Sequence, residues 1–273
     1  MTNSPRITQP RRWTSLAFAS VTLAAAPVLA DVHRVAPVTL ASPDAQLWLA
    51  QSQGGEGGEA GVTASASTEA AYLAELLIVE GHYLAARDLY AMGQKDLAIE
   101  LSGHPQDEGT LDELRKEIAD HKAGDVADAV AAFIATMKAG APQADVDAAL
   151  TAISTAFAAA AAVEDDEVRA RFDAVVLVLK AAAEEYQGSI EDGKVADVMG
   201  WHEAWSFIGL ARARLQELAA LDMSAKAAPK ALKALEDVNA AFGDPMAAEP
   251  LAGDGQVLLG VAAKVELIAS SVR

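Results

Sequence analysis

Cysteine is absent from all 273 residues. The chain therefore has no disulfide, no thiolate metal site, no lipid-bearing cysteine and no Cys-x-x-Cys-His haem attachment. Positive charge is also scarce, with 21 Lys and Arg against 39 Asp and Glu and a formal net charge of −18. Such an acidic body repels nucleic acid and anionic membrane, so neither is an expected partner, whereas it attracts cations. Aromatic residues make up only 5%. No Gly-rich phosphate loop follows a strand-like run, and there is no His-Glu-x-x-His or Gly-x-Ser-x-Gly motif. Glu191-Asp192-Gly193 lacks the alternating acids of a calcium loop. These missing motifs make a non-enzymatic role the expectation.

The longest early apolar run, Leu16 to Leu29, is too short to cross a membrane, which takes about 20 apolar residues. It follows Arg6, Arg11 and Arg12 and ends in Val28-Leu29-Ala30, the organisation of a secretory signal peptide over residues 1–30 with cleavage after Ala30. Losing those three arginines and no acid takes the formal charge from −18 to −21. The expected product is an exported, periplasmic chain without membrane insertion. Both the general secretory and the twin-arginine route stay open, although Arg11-Arg12-Trp13-Thr14-Ser15-Leu16 matches the twin-arginine pattern only loosely. Residues 31–67 read as a flexible linker, because Gln51 to Ser67 is too rich in Gly and Ser to form a packed element.

From Thr68 the pattern turns helical and stays so. Alanine dominates, which favours helices and lets their backbones approach. Helices are predicted over 68–92, 94–102, 107–122, 125–139, 143–162, 164–190, 197–221, 225–242 and 254–271, separated by Gly, Gly-Pro and Asp-Gly punctuation. No alternating runs joined by a hairpin turn are present, so no sheet is expected. Leu89-Tyr90-Ala91-Met92-Gly93 resembles half of a tetratricopeptide unit, but no second copy follows at a fixed period. The predicted architecture is an all-α bundle of about eight or nine helices forming one domain over 68–273.

The histidines are the candidate chemistry. His82 lies in the first long helix with apolar neighbours at three and four residues, so its partner must come from another element. His104 opens a helix as His104-Pro105-Gln106-Asp107-Glu108, and Glu108, four residues on, shares its face. His121 ends a helix, where it complements the dipole. His202 and Glu203 lie in a helix apolar on nearly every side, hence a buried one, and must find partners there. Their side chains diverge by about 100°, so the two need not address the same ion. A core histidine bonded to a backbone or carboxylate remains the plain alternative in each case.

The run from Glu185 to Phe207 resembles a helical hairpin in the extracytoplasmic domains of bacterial oxidase-coupled iron permeases. The pattern there is Tyr-x-x-Ala-Val-x-Asp-Gly-Lys-Val, then Glu-Tyr-x-Glu and a Phe. This chain keeps Tyr186, Asp192, Gly193, Lys194, Val195, Glu203 and Phe207, and departs from it at Gly200-Trp201. Glu80-Gly81-His82-Tyr83-Leu84 and Gly103-His104-Pro105-Gln106-Asp107-Glu108 resemble imelysin-type exported proteins, whose Gly-x-His-x-x-Glu motif is linked to iron uptake. Gly200-Trp201-His202 begins that motif, with Trp205 where its glutamate belongs.

These resemblances imply a periplasmic metal-binding or iron-uptake accessory protein, with iron ahead of copper or zinc. Its partner would be a membrane metal permease or another periplasmic protein. The expected ligands are His82, His104, Glu108 and His202, with Glu203 as a supporting or alternate ligand. The competing expectation is a helical interaction module without a metal. Convergence of His82, His104 and His202 on one point would favour the first reading, whereas separate faces would leave the interaction module as the default.

Overall fold

The computed structural model describes Thr63, residues 66–107, 109–162 and 167–242, Asp244, Met246, Ala247 and residues 253–272. The predicted signal peptide, nearly all of the predicted linker and Glu108 lie outside the described residues.

Helix α1 (Thr68–Ala91) begins where the Ser67 hydroxyl accepts a hydrogen bond from the Ala70 N–H, with Glu69 in the first turn. Both features satisfy the positive end of a helix. The helix ends where Gly93 takes φ +81°, so that its N–H reaches Tyr90 O and the Gln94 N–H reaches Leu89 O. This left-handed stop uses up the last orphan carbonyls. Helices α2 (Lys95–Leu101), α3 (His104–Asp107), α4 (Thr110–Asp120), α5 (Ala127–Lys138), α6 (Gln143–Ala161) and α7 (Val168–Ser189) follow.

Two predicted helices are interrupted. The expected 107–122 helix breaks because Gly109, at φ +83°, caps the start of α4 in a left-handed conformation and leaves α3 as a single turn. The expected 225–242 helix is a chain of short pieces. A 3-10 turn (Asp222–Ser224) precedes α9 (Ala228–Ala234), and a second (Leu235–Val238) leads into α10 (Asn239–Phe242). Leu235, Val238 and Ala241 are buried at intervals of three, the repeat of a 3-10 helix rather than an α-helix. Helix α11 (Gln256–Ala269) completes the described chain.

The expectation of no sheet needs a small correction. After α7 the chain forms a minimal antiparallel hairpin, β1 (Ile190–Glu191) with β2 (Lys194–Val195), pairing Ile190 with Val195 and Glu191 with Lys194. Its tip residues, Asp192 and Gly193, have φ +51° and +74°. Both central residues of a primed turn need positive φ, which Asp-Gly tolerates well. The hairpin returns the chain directly into α8 (Val198–Ala219), whose first turn is capped by the Asp197 carboxylate accepting from the Met199 N–H.

The all-α bundle is otherwise as predicted. Helices α7 and α8 pack along each other, α1 packs on both, and α11 packs on α7. Helices α2 and α6 cover α1, and α5 pairs with α6. Because α1 has neighbours on several sides, it is buried on nearly all of them, with Tyr72, Leu76, Ile78, Val79, Tyr83 and Leu89 at most 2% exposed. Each such side chain contributes roughly 1.5–3 kcal/mol by leaving water. The Tyr186 hydroxyl ties α7 to the C-terminal segment by donating to Ala241 O and accepting from the Gly253 N–H, both at 2.8 Å.

Helix α6, 19 residues with a mean hydropathy of 1.2, is by length and composition apolar enough to cross a membrane. Its buried stripe is Val146, Leu150, Ile153, Phe157 and Ala160, and much of the rest is alanine and threonine.

Candidate metal centre

The first candidate, His82, sits mid-way along α1 and is 3% exposed. Its Nδ1–H donates to Ile78 O, one turn earlier, at 2.9 Å. A carbonyl can only accept, so this bond places a proton on Nδ1 and turns Nε2 toward α8. There, Nε2 lies 3.3 Å from Glu203 Oε1. The same oxygen is 3.6 Å from Nδ1 of His104, at the start of α3. The two imidazoles meet edge to face, with centroids 6.5 Å apart and planes at 66°.

Glu203 is thus the hub of the cluster. Burial alone would raise its carboxyl pKa, but the charge of His82 and the hydrogen bond and charge of His104 outweigh burial and hold it below the ordinary carboxylate value. Its Oε1 nevertheless accepts no hydrogen bond of good geometry among the described residues. Charge-assisted N–H···O bonds run at about 2.7–2.9 Å, and both approaches are longer. Donor atoms bound tetrahedrally at about 2.1 Å lie about 3.4 Å from one another, between the 3.3 and 3.6 Å from Oε1 to the two nitrogens. A neutral His82 would also point the Nε2 lone pair at a carboxylate, a repulsive contact that a proton or a cation relieves.

A glycine notch sets this geometry. At Gly81, next to His82, a Cβ would collide with the ring edge of Phe207. Phe207, one turn beyond Glu203 on α8, enters that notch and meets the His82 ring edge to face at 5.7 Å. The notch had a sequence signal, an isolated glycine inside a helical pattern, which marks a close approach.

Of the expected ligands, the structure brings together His82, His104 and Glu203. Glu108 lies outside the described residues. The expected convergence of three imidazoles does not occur, because the residue after His202 is the one that faces α1. His202 is fully buried, and neither ring nitrogen has a hydrogen-bond partner among the described residues. It meets Trp201 edge to face at 5.2 Å, and burial pushes its pKa down to about 4. His121 stacks on Tyr72, with ring centroids 4.2 Å apart. Among the described residues, no group of three or more His, Asp or Glu side chains is placed to hold a metal ion. The three at the hub share one oxygen rather than enclosing a point.

The segment holding Glu203 and Phe207 is also similar to a known domain family. Residues 160–269 match the iron permease-associated 4-helix bundle domain. The match runs from the end of α6 to the end of α11, less than half of the chain, and links it to iron permease-related function. It agrees with the resemblance carried by Tyr186, Asp192, Gly193, Lys194, Val195, Glu203 and Phe207, and the fold gives several of these residues a task. Tyr186 ties α7 to the C-terminal segment, Asp192-Gly193 makes the turn, and Phe207 fills the notch beside His82. His82 and His104 precede the matched segment. No curated protein and no solved structure matches the chain.

Proposed function

We propose that this chain is a periplasmic iron-binding accessory protein that serves a membrane iron permease. It holds and passes on a metal ion and catalyses no reaction. His82, His104 and Glu203 are its ligands. The observation that supports this reading most is Glu203 Oε1, a buried carboxylate oxygen at 3.3 and 3.6 Å from two imidazole nitrogens, both longer than a charge-assisted hydrogen bond. Nitrogen and oxygen donors without sulfur suit iron, copper or zinc, and the iron permease-associated match favours iron as the cargo. The bond from His82 Nδ1 to Ile78 O would orient the ring for a metal at Nε2.

Metal content of protein purified from the periplasm tests the site. The wild type should retain close to one metal ion per chain, with iron predominant. The His82→Ala/Glu203→Gln double variant, folded by circular dichroism, should lose it. Equal metal in both would sink the site.

A second reading has its own support, since the same three side chains already form an ion-paired link between α1, α3 and α8. On that reading the chain is a helical interaction module. The double variant would then lower the melting temperature while the wild type held no metal.

A further inference from the structure

A second polar cluster lies on another side of α1, apart from the histidines. Glu80 is 3% exposed, and its Oε2 accepts no hydrogen bond among the described residues. The residue lines a cavity of about 170 Å³ where α1, α6, α7 and α8 meet. That is somewhat more than the roughly 150 Å³ engineered cavity known to admit benzene. Leu73 and Leu77 of α1 and Phe157 of α6 make an apolar wall. Arg171 and Arg214 bring two guanidinium groups to the same space.

The charges are arranged in an order that a ligand could read. Arg214 Nη2 lies 3.8 Å from Glu80 Oε2, while its Nη1 donates to both oxygens of Glu217 at 2.9 and 3.0 Å. Arg171 Nη2 is 3.5 Å from the same Glu217 carboxylate. The Glu217 side chain is 48% exposed, so it can swing out into water with little loss of packing. Its carboxylate shows that such a group fits between the two guanidiniums. One step further in, Glu80 Oε2 is a buried acceptor in need of a donor. Burial raises the pKa of Glu80 against the opposing pull of the Ser154 hydroxyl and Arg214, and a donor at Oε2 would offset that desolvation.

We infer that this cavity binds a small zwitterion with an apolar side chain, the chemistry of an aliphatic or aromatic α-amino acid. The ammonium donates to Glu80 Oε2, the carboxylate replaces that of Glu217 between Arg171 and Arg214, and the side chain lies against Leu73, Leu77 and Phe157. With Glu217 swung out, one buried carboxylate faces two guanidiniums across the cavity. Both signs are therefore available to a neutral zwitterion, whereas a bare cation meets the arginines and a bare anion meets Glu80. This inference does not rest on the metal site.

Calorimetric titration of the full chain with L-leucine tests it, beside the two halves of the same skeleton, 3-methylbutan-1-amine and 4-methylpentanoate. Leucine should bind saturably, and each half should bind at least about tenfold more weakly, since the amine gains nothing at the guanidiniums and the carboxylate leaves Glu80 Oε2 without a donor. Glu80→Gln keeps the shape of the side chain and should lose about tenfold or more. Glu217→Gln, which weakens the competitor for the guanidiniums, should bind leucine more tightly than the wild type. Absence of saturable leucine binding in both the wild type and Glu217→Gln would overturn the site. So would wild-type affinity in Glu80→Gln, or a half-ligand as tight as leucine.

Discussion

At the scale of single residues, His202 and Glu203 are sequence neighbours with opposite electrostatics. The Glu203 carboxylate gains two imidazole neighbours and is held below its ordinary pKa. It therefore contributes stability above pH 4.5, which is lost as the pH falls through its folded value. His202 gains no hydrogen-bond partner among the described residues, and burial moves its pKa from 6.5 to about 4. Between those values the unfolded chain takes up a proton that the folded chain refuses, so stability falls as the pH drops through that window. At about 1.4 kcal/mol per unit, the loss from His202 is on the order of 3 kcal/mol. His202→Leu should flatten the decline between about pH 6.5 and 4 and leave the portion below pH 4.5 that belongs to Glu203. Urea midpoints measured across that range check this. An unchanged slope in the variant would mean that His202 is not buried as a neutral ring.

At the scale of elements, the crossing of α1 and α8 depends on the notch at Gly81. Two effects oppose each other in Gly81→Ala. Alanine gains up to about 1 kcal/mol in helix propensity, while pushing the Phe207 ring out of a filled core costs about 1–3 kcal/mol. The collision is with the body of a fully buried ring, so overpacking should win. Gly81→Ala should lower the thermal midpoint, and adding Phe207→Leu should recover part of the loss. A variant as stable as the wild type would show that the ring has room to move. The same contrast explains what the sequence revealed of the elements. Helices α1, α5, α6 and α8 lie within about two residues of their predicted bounds, because left-handed glycines, a proline or a capping carboxylate punctuate them. The breaks at Gly109 and over 222–242 were hidden: both stretches are helical in composition, and only backbone sign or three-residue spacing betrays the change.

At the scale of the whole molecule, the candidate centre joins two parts of the chain. Glu203 lies inside the matched segment, and His82 and His104 precede it. His82 and His104 were legible as candidates because few polar residues interrupt their surroundings. The choice between His202 and Glu203 was not legible. A helix apolar on nearly all sides has no preferred face in its pattern, so the sequence cannot tell which of two neighbours turns inward. The cluster of Glu80, Arg171 and Arg214 gave no signal either, since ordinary helix charges meet there only through tertiary packing. If the centre spans these two parts, a bound ion should brace the fold. An ion that binds only the folded state at about 100 times its Kd adds roughly 2.7 kcal/mol. Zn²⁺, as a redox-inert probe, should raise the thermal midpoint of the wild type and leave that of Glu203→Gln unmoved. Equal shifts in both would place the binding elsewhere.

Phe207 in the cleft at Gly81 acts mechanically as a peg in a socket. A peg resists sliding along either helix, because translation drives the ring against the walls of its socket. Glu203 sits one turn from that peg. The crossing that fixes how far α8 can slide is therefore the same one that sets Glu203 beside both imidazoles.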